Sequence, residues 1–173
     1  MPTASLGLGE ETLDTEWSSA MAPGAHVRVY AATDLASADL DAAYQQVIDD
    51  ATNHPQMGIH QMSMSYGLGE VDAGSAQLNT DDAKFVELAN LGVTLFASSG
   101  DEGPTPDIKN SPPDNTVQVD SPASDPNVTG VGGTTLILNS NNNISSEVVW
   151  NDSSGASGGG TSIHFSQMCI RDR

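Results

Sequence analysis

Leu95-Phe-Ala-Ser-Ser-Gly-Asp-Glu-Gly103 is an apolar run that stops on a glycine-flanked acidic turn. Val93 to Ala97 has the length and the β-branched and aromatic content of a buried strand, and Gly100 and Gly103 punctuate its end. In open α/β sheets, working residues gather where strands stop at their carboxyl side. Asp101 therefore stands in the position of a working residue. A plain strand-ending turn with a solvated aspartate has the same letters, so the rest of the chain must separate the two readings.

The flanking residues predict a sheet around that strand. Gly58 to Ser65 reads as a strand ending at Tyr66-Gly67, and Thr80 to Leu91 as a helix with Phe85, Leu88 and Ala89 inward. Upstream, His26 to Ala32 alternates with Val27, Val29 and Ala31 on one face, the pattern of a strand. Ala36 to Thr52 is an amphipathic helix whose stripe of Leu40, Ala43, Tyr44, Val47 and Ala51 is core. Strand-helix-strand-helix-strand at this spacing predicts a parallel sheet with right-handed crossovers. Pro104 to Ser121 has no periodicity. Asn127 to Leu138 predicts two short strands around Gly132-Gly133, Asn139 to Ser146 a polar turn, and Glu147 to Trp150 another strand.

Near the N-terminus, Glu10 to Met21 reads as a helix stopped by Ala22-Pro23-Gly24. Leu13, Trp17, Ala20 and Met21 make one apolar stripe at about 100° per residue, and Glu10 and Asp14 fall on or beside it. Two carboxylates at i and i+4 on a buried face repel each other, which raises one pKa and makes an acid/base pair. A solvated first helical turn, where the macrodipole favours acids, fits the same residues.

Composition narrows the partners. The 173 residues carry 23 acids against 5 bases, a formal net charge of −18. That charge repels nucleic acid and anionic membranes, and no run of about 18 apolar residues could span a bilayer. The acidity fits either a halophile-type solvation shell or adaptation to acid, where neutralised carboxylates leave little positive charge behind. One cysteine, Cys169, precludes an intrachain disulfide. It sits in Met168-Cys-Ile-Arg-Asp-Arg173, whose basic composition breaks with the rest and reads as a non-native tail. No phosphate loop, dinucleotide fingerprint or His/Cys metal cluster is present, so no metal ligands are assigned.

Several motifs, taken in order, resemble one family. They are Gly9-Glu10-Glu-Thr-Leu-Asp14-Thr-Glu-Trp17, Ala22-Pro-Gly-Ala25, Ser63-Met-Ser-Tyr-Gly67, Ala97-Ser-Ser-Gly-Asp101-Glu-Gly103, Pro122 through Thr134, Trp150-Asn151 and Gly158-Gly-Gly-Thr-Ser162. This order is similar to that of the sedolisins, the serine-carboxyl peptidases. The resemblance implies a subtilisin-like α/β fold with a parallel central sheet flanked by helices, truncated at its C-terminus. Residues 1–167 would be a partial catalytic domain and 168–173 the foreign tail. It implies an acid-acting endopeptidase in which Glu10 is the general base, Asp14 orients it and Asp101 is the oxyanion-hole donor.

A carboxylic acid donates to an oxyanion only when protonated, which with a reference pKa of about 3.9 favours acidic conditions. Ser65, Tyr66, Gly67 and Gly100 are implied to bind substrate backbone to backbone, with Gly158, Gly159 and Gly160 lining the cleft. The family's nucleophile follows in a Gly-Thr-Ser motif beyond this chain, so Ser162 is not promoted to that role and the fragment alone is expected to be inactive. Calcium is expected in the complete enzyme at a site outside this chain. A protein or peptide substrate, a propeptide in the precursor, secretion and a monomeric state complete the expectations. The alternatives are a catalytically dead peptidase-like binding or scaffolding domain, and an acidic cell-surface or halophilic binding module.

Overall fold

The computed structural model describes residues 8–106 and 116–166. Lys109 and the tail from Met168, with Cys169, lie outside the described residues. The chain divides into two compact units, residues 1–47 and 48–173.

In the first unit, α1 spans Leu8–Met21, and α2 begins at Ser37 and runs on to Asn53. The stripe expected on α1 is present by periodicity, yet Leu13, Trp17 and Met21 are 49%, 62% and 77% exposed. A helix face is buried only where a second layer lies against it. The stripe on α2 fares differently: Tyr44 and Val47 are buried, Leu40, Ala43 and Ala51 half-buried, and Ile48, outside the expected stripe, is buried too. The strand expected at residues 26–32 does not form: the segment carries no ladder, and Val27 and Val29 are exposed. Alternation alone cannot hold a strand when no neighbour supplies hydrogen bonds.

The second unit contains the sheet. Strands β1 (Gln61–Met64), β3 (Thr94–Ser98) and β5 (Val128–Val131) are parallel, in the order β1-β3-β5. Met62 pairs with Leu95 and Leu95 with Val128, so the Leu95 strand is central. Between β1 and β3 run a two-residue strand β2 (Leu68–Gly69), a single turn α3 (Glu70–Ala73) and α4 (Ser75–Asn90). Helix α4 starts five residues before the expected Thr80 and packs on β3. Phe85 and Leu88 are wholly buried with Leu78, Leu95 and Ala97, whereas Ala89, expected inward, is exposed. A large aromatic in that position is worth about 3–5 kcal/mol against alanine.

Strand β4 (Asp120–Ser121) returns antiparallel to β2, pairing Gly69 with Asp120, and a cis Ser121–Pro122 bond follows. Beyond β5, β6 (Thr134–Leu138) and β7 (Ile144–Val149) form a hairpin, longer at its second strand than expected. Two short strands, β8 (Asn151–Asp152) and β9 (Gly155–Ala156), then fold back beside the end of β3.

Candidate active site at the carboxyl end of the sheet

The central strand ends where the sequence reading places it, and the loop after it is held by backbone bonds. The Ser99 amide donates to Val131 O at 2.9 Å, carrying the β3–β5 ladder one residue further. Gly158 N donates to Gly100 O at 2.9 Å, Ala156 N to Asp101 O at 2.7 Å and Gly103 N to Ala156 O at 2.9 Å. The Asp101 main chain is thus clamped while its side chain faces out, exposed. Ser157 supports the clamp: its hydroxyl accepts from Gly133 N at 3.0 Å and lies 3.4 Å from Ser99 Oγ.

Two glycines are required by this geometry. At Gly158 a Cβ would run into the carbonyl oxygen of Ser99, so only a bare backbone can lie there. Gly100 has φ +98°, and a Cβ on it would strike Asp120 Oδ2. A methyl group at Gly159 would meet nothing within 4 Å, and Gly160 lies over Val119.

Asp120 joins the Ser65–Gly67 segment to the Asp101 turn. It is 6% exposed, with its Cβ 3.2 Å from where a side chain on Gly67 would begin and its Oδ2 against Gly100. Burial, and then the nearby charges of Glu102 and Asp101, push its carboxyl up to about 6. The structure therefore brings Gly67, Gly100, Asp101 and Gly158 to one end of the sheet, with Ser65 and Tyr66 half-buried on the chain leaving β1. Glu10 and Asp14 belong to the other unit, one helical turn apart on α1, Glu10 exposed and Asp14 half-buried.

Ser162 is fully engaged in a local cap. Its hydroxyl donates to Glu70 Oε1 at 2.6 Å and accepts from the amides of His164 at 3.2 Å and Phe165 at 2.8 Å. One donor and two lone pairs are all a serine has, so no free lone pair remains for attack. Glu70 is 2% exposed, and its other oxygen accepts from Ile163 N at 2.9 Å.

Glu70, Gln118, Asp120 and Asp125 are buried polar residues that the sequence reading did not single out. Gln118 spans three segments: it accepts from Val71 N at 2.8 Å and donates to Pro106 O at 2.8 Å and Asp72 Oδ2 at 3.3 Å. The alternation Val117-Gln-Val-Asp120 misleads here, since it would send Gln118 and Asp120 to solvent, whereas both are buried and Val117 is exposed. Glu70 had no signal. Among the described residues no three His, Cys, Asp or Glu side chains converge to hold a metal ion.

Fold and candidate site together define an α/β protein whose expected site residues of the larger unit gather at the carboxyl end of a parallel sheet. The model of the subtilase family matches residues 3–167, and the chain belongs to that family of serine-type peptidases. It is 36% identical to kumamolisin of Bacillus sp. (strain MN-32) over 159 residues, 91% of this chain and 27% of that protein. It is 37% identical to sedolisin of Pseudomonas sp. (strain 101) over 173 residues, 93% of this chain and 28% of that protein. The solved Pseudomonas sedolisin, a serine-carboxyl proteinase complexed with two molecules of pseudo-iodotyrostatin, superposes with a TM-score of 0.75 at 32% identity. That match covers 96% of this chain and 50% of the other, and establishes the shared fold. A lanthipeptide protease at 20% identity, with a TM-score of 0.56, shares the fold alone. The chain spans little more than a quarter of the curated relatives it matches.

Proposed function

We propose that this chain forms the N-terminal portion of the catalytic domain of an acid-acting serine-carboxyl endopeptidase. The observation that carries the reading is the clamped main chain of Asp101 at the end of the central strand, with its carboxyl group left open. The 36–37% identity to kumamolisin and sedolisin supports it. In this reading a serine supplied by sequence outside these residues attacks the peptide carbonyl carbon. Glu10 takes the hydroxyl proton and passes it to the departing amine, and Asp14 orients Glu10 through a hydrogen bond. Protonated Asp101 donates to the oxygen that gains negative charge, and water then releases the acyl-enzyme.

Peptide backbone would lie along Ser65-Tyr66-Gly67 and Gly100, with the Gly158–Gly160 run as the opposite wall. These residues alone, lacking the nucleophile, would not turn over. A propeptide, secretion, a monomeric state and calcium belong to the same proposal. The described residues offer no cluster of three acidic, histidine or cysteine side chains for the ion, whose ligands would come from outside them.

The test is peptide hydrolysis by the full-length protein at about pH 4 and at neutrality, with Asp101→Ala and Glu10→Gln beside the wild type. Removal of one oxyanion donor should lower kcat about 10²–10³-fold. Turnover near wild type in Asp101→Ala would sink the assignment. A full-length protein that neither cleaves peptides nor forms an acyl-enzyme would instead be a dead scaffold.

A further inference from the structure

Among the described residues, the buried side-chain oxygens without a hydrogen-bond partner fall in one six-residue turn. They are Asp120 Oδ1, Ser124 Oγ and Asp125 Oδ2. Main-chain bonds close the turn: Ser124 N to Asp120 O at 2.9 Å, Asp125 N to Pro122 O at 3.1 Å and Val128 N to Asp125 O at 3.0 Å. Both carboxyls face other acids. Asp101 and Glu102 face Asp120 from the turn after β3, and Asp82 faces Asp125 from α4. Asn127 joins the second pair, its side-chain amide 3.2 Å from Asp125 Oδ1 and 3.3 Å from Asp82 Oδ1. Asp125 Oδ1 also accepts from Asn127 N at 2.7 Å, which leaves Oδ2 as the orphan.

An ionised carboxylate sealed from water beside another carboxylate is strongly disfavoured. Either a proton or a cation can relieve it. A hard cation takes six or more oxygen ligands with room for water, whereas these oxygens are closed to solvent; a proton needs no space.

We infer that the Asp120–Asp125 turn is a proton-locked latch: its two buried carboxyls carry protons in the closed form, and their ionisation releases the turn from Gly67, Gly100 and α4. The direction agrees at both ends, since burial is the largest influence raising Asp120 and Asp125, each to about 6. Because Asp120 lies between Gly67 and Gly100 and beside Asp101, opening the latch dismantles the strand-end site. The latch stands whether or not the chain belongs to an active peptidase.

The test is hydrogen exchange at the amides of Ser124, Asp125 and Val128 in the full chain, corrected for intrinsic rates, at pH 4.5 and 7.5. Wild type should lose several hundredfold in protection between the two, since each shift from 3.8 to about 6 allows roughly 25-fold over that interval and two groups titrate. The Asp120→Asn/Asp125→Asn variant, whose amides need no added proton, should keep its protection at pH 7.5. Equal loss in variant and wild type would overturn the latch. Should the variant fail to fold, carboxyl-carbon NMR of the wild type decides: titration of both groups near 6 supports the proposal, and titration near 4 refutes it. Protection restored at pH 7.5 by calcium would also refute it, in favour of a cation site.

Discussion

Glu70 and Asp120 are both buried acids on neighbouring segments, yet their surroundings are opposite. Glu70, at the start of α3, spends one oxygen on the Ser162 hydroxyl and the other on the Ile163 amide. Asp120, on β4, keeps an oxygen with no partner and faces two more acids. Burial is common to both, so it cannot be what separates them. What differs is whether the fold supplies donors for the charge. The Glu70 junction offers a donor to each carboxyl oxygen; the Asp120 turn leaves one oxygen without any.

Removing the donors' partner is the severest way to break the contrast. Glu70→Ala empties a buried position and strands a half-buried hydroxyl and a backbone amide, and should cost about 3 kcal/mol in urea unfolding. Glu70→Gln, which keeps the shape, should recover part of that loss.

The next effect, up to about 3 kcal/mol, depends on pH. Asp120 has a folded pKa of about 6 against an unfolded value of 3.8, so the folded state binds its proton more tightly. Its stabilising contribution is complete below about pH 3.8 and is lost as pH rises through 6. Asp120→Asn should therefore flatten the acid side of a melting-temperature profile and gain on the wild type above about pH 6. A profile unchanged by the substitution would mean that the two buried acids are alike after all.

Smaller still is the glycine clamp. Gly158→Ala must displace the Ser99 carbonyl and should cost about 1–3 kcal/mol, while Gly159→Ala, in open space, should be nearly silent. Ser157→Ala, losing its bond to Gly133 N, should cost about 1 kcal/mol.

The sequence was most readable where one local rule decided the outcome. Leu95 to Gly103 announces a strand and its stop because apolar run and glycines coincide, and the parallel β1-β3 pair follows from the helical segment between two such runs. It was least readable where partners come from far along the chain. Residues 26–32 alternate like a strand but find no ladder, and Leu13 and Trp17 are patterned for burial that α1 alone cannot give. Glu70 meets Ser162 across 92 positions, a separation that leaves no trace in periodicity. Asp101 could be chosen because its place is a strand end. Asp120 could not, because its importance arises from Gly67 and Gly100, which are near it only after folding.

The chain's two indoles live in different optical worlds. Trp17 is 62% exposed on α1, whereas Trp150 lies across Gly133 and Gly155, whose missing side chains make room for its ring beside the Asp101 carbonyl. Its emission should be shifted to shorter wavelength and shielded from a soluble quencher that dims Trp17 freely. With Trp17 replaced by phenylalanine, the remaining fluorescence becomes a gauge of whether the loop after the central strand is seated.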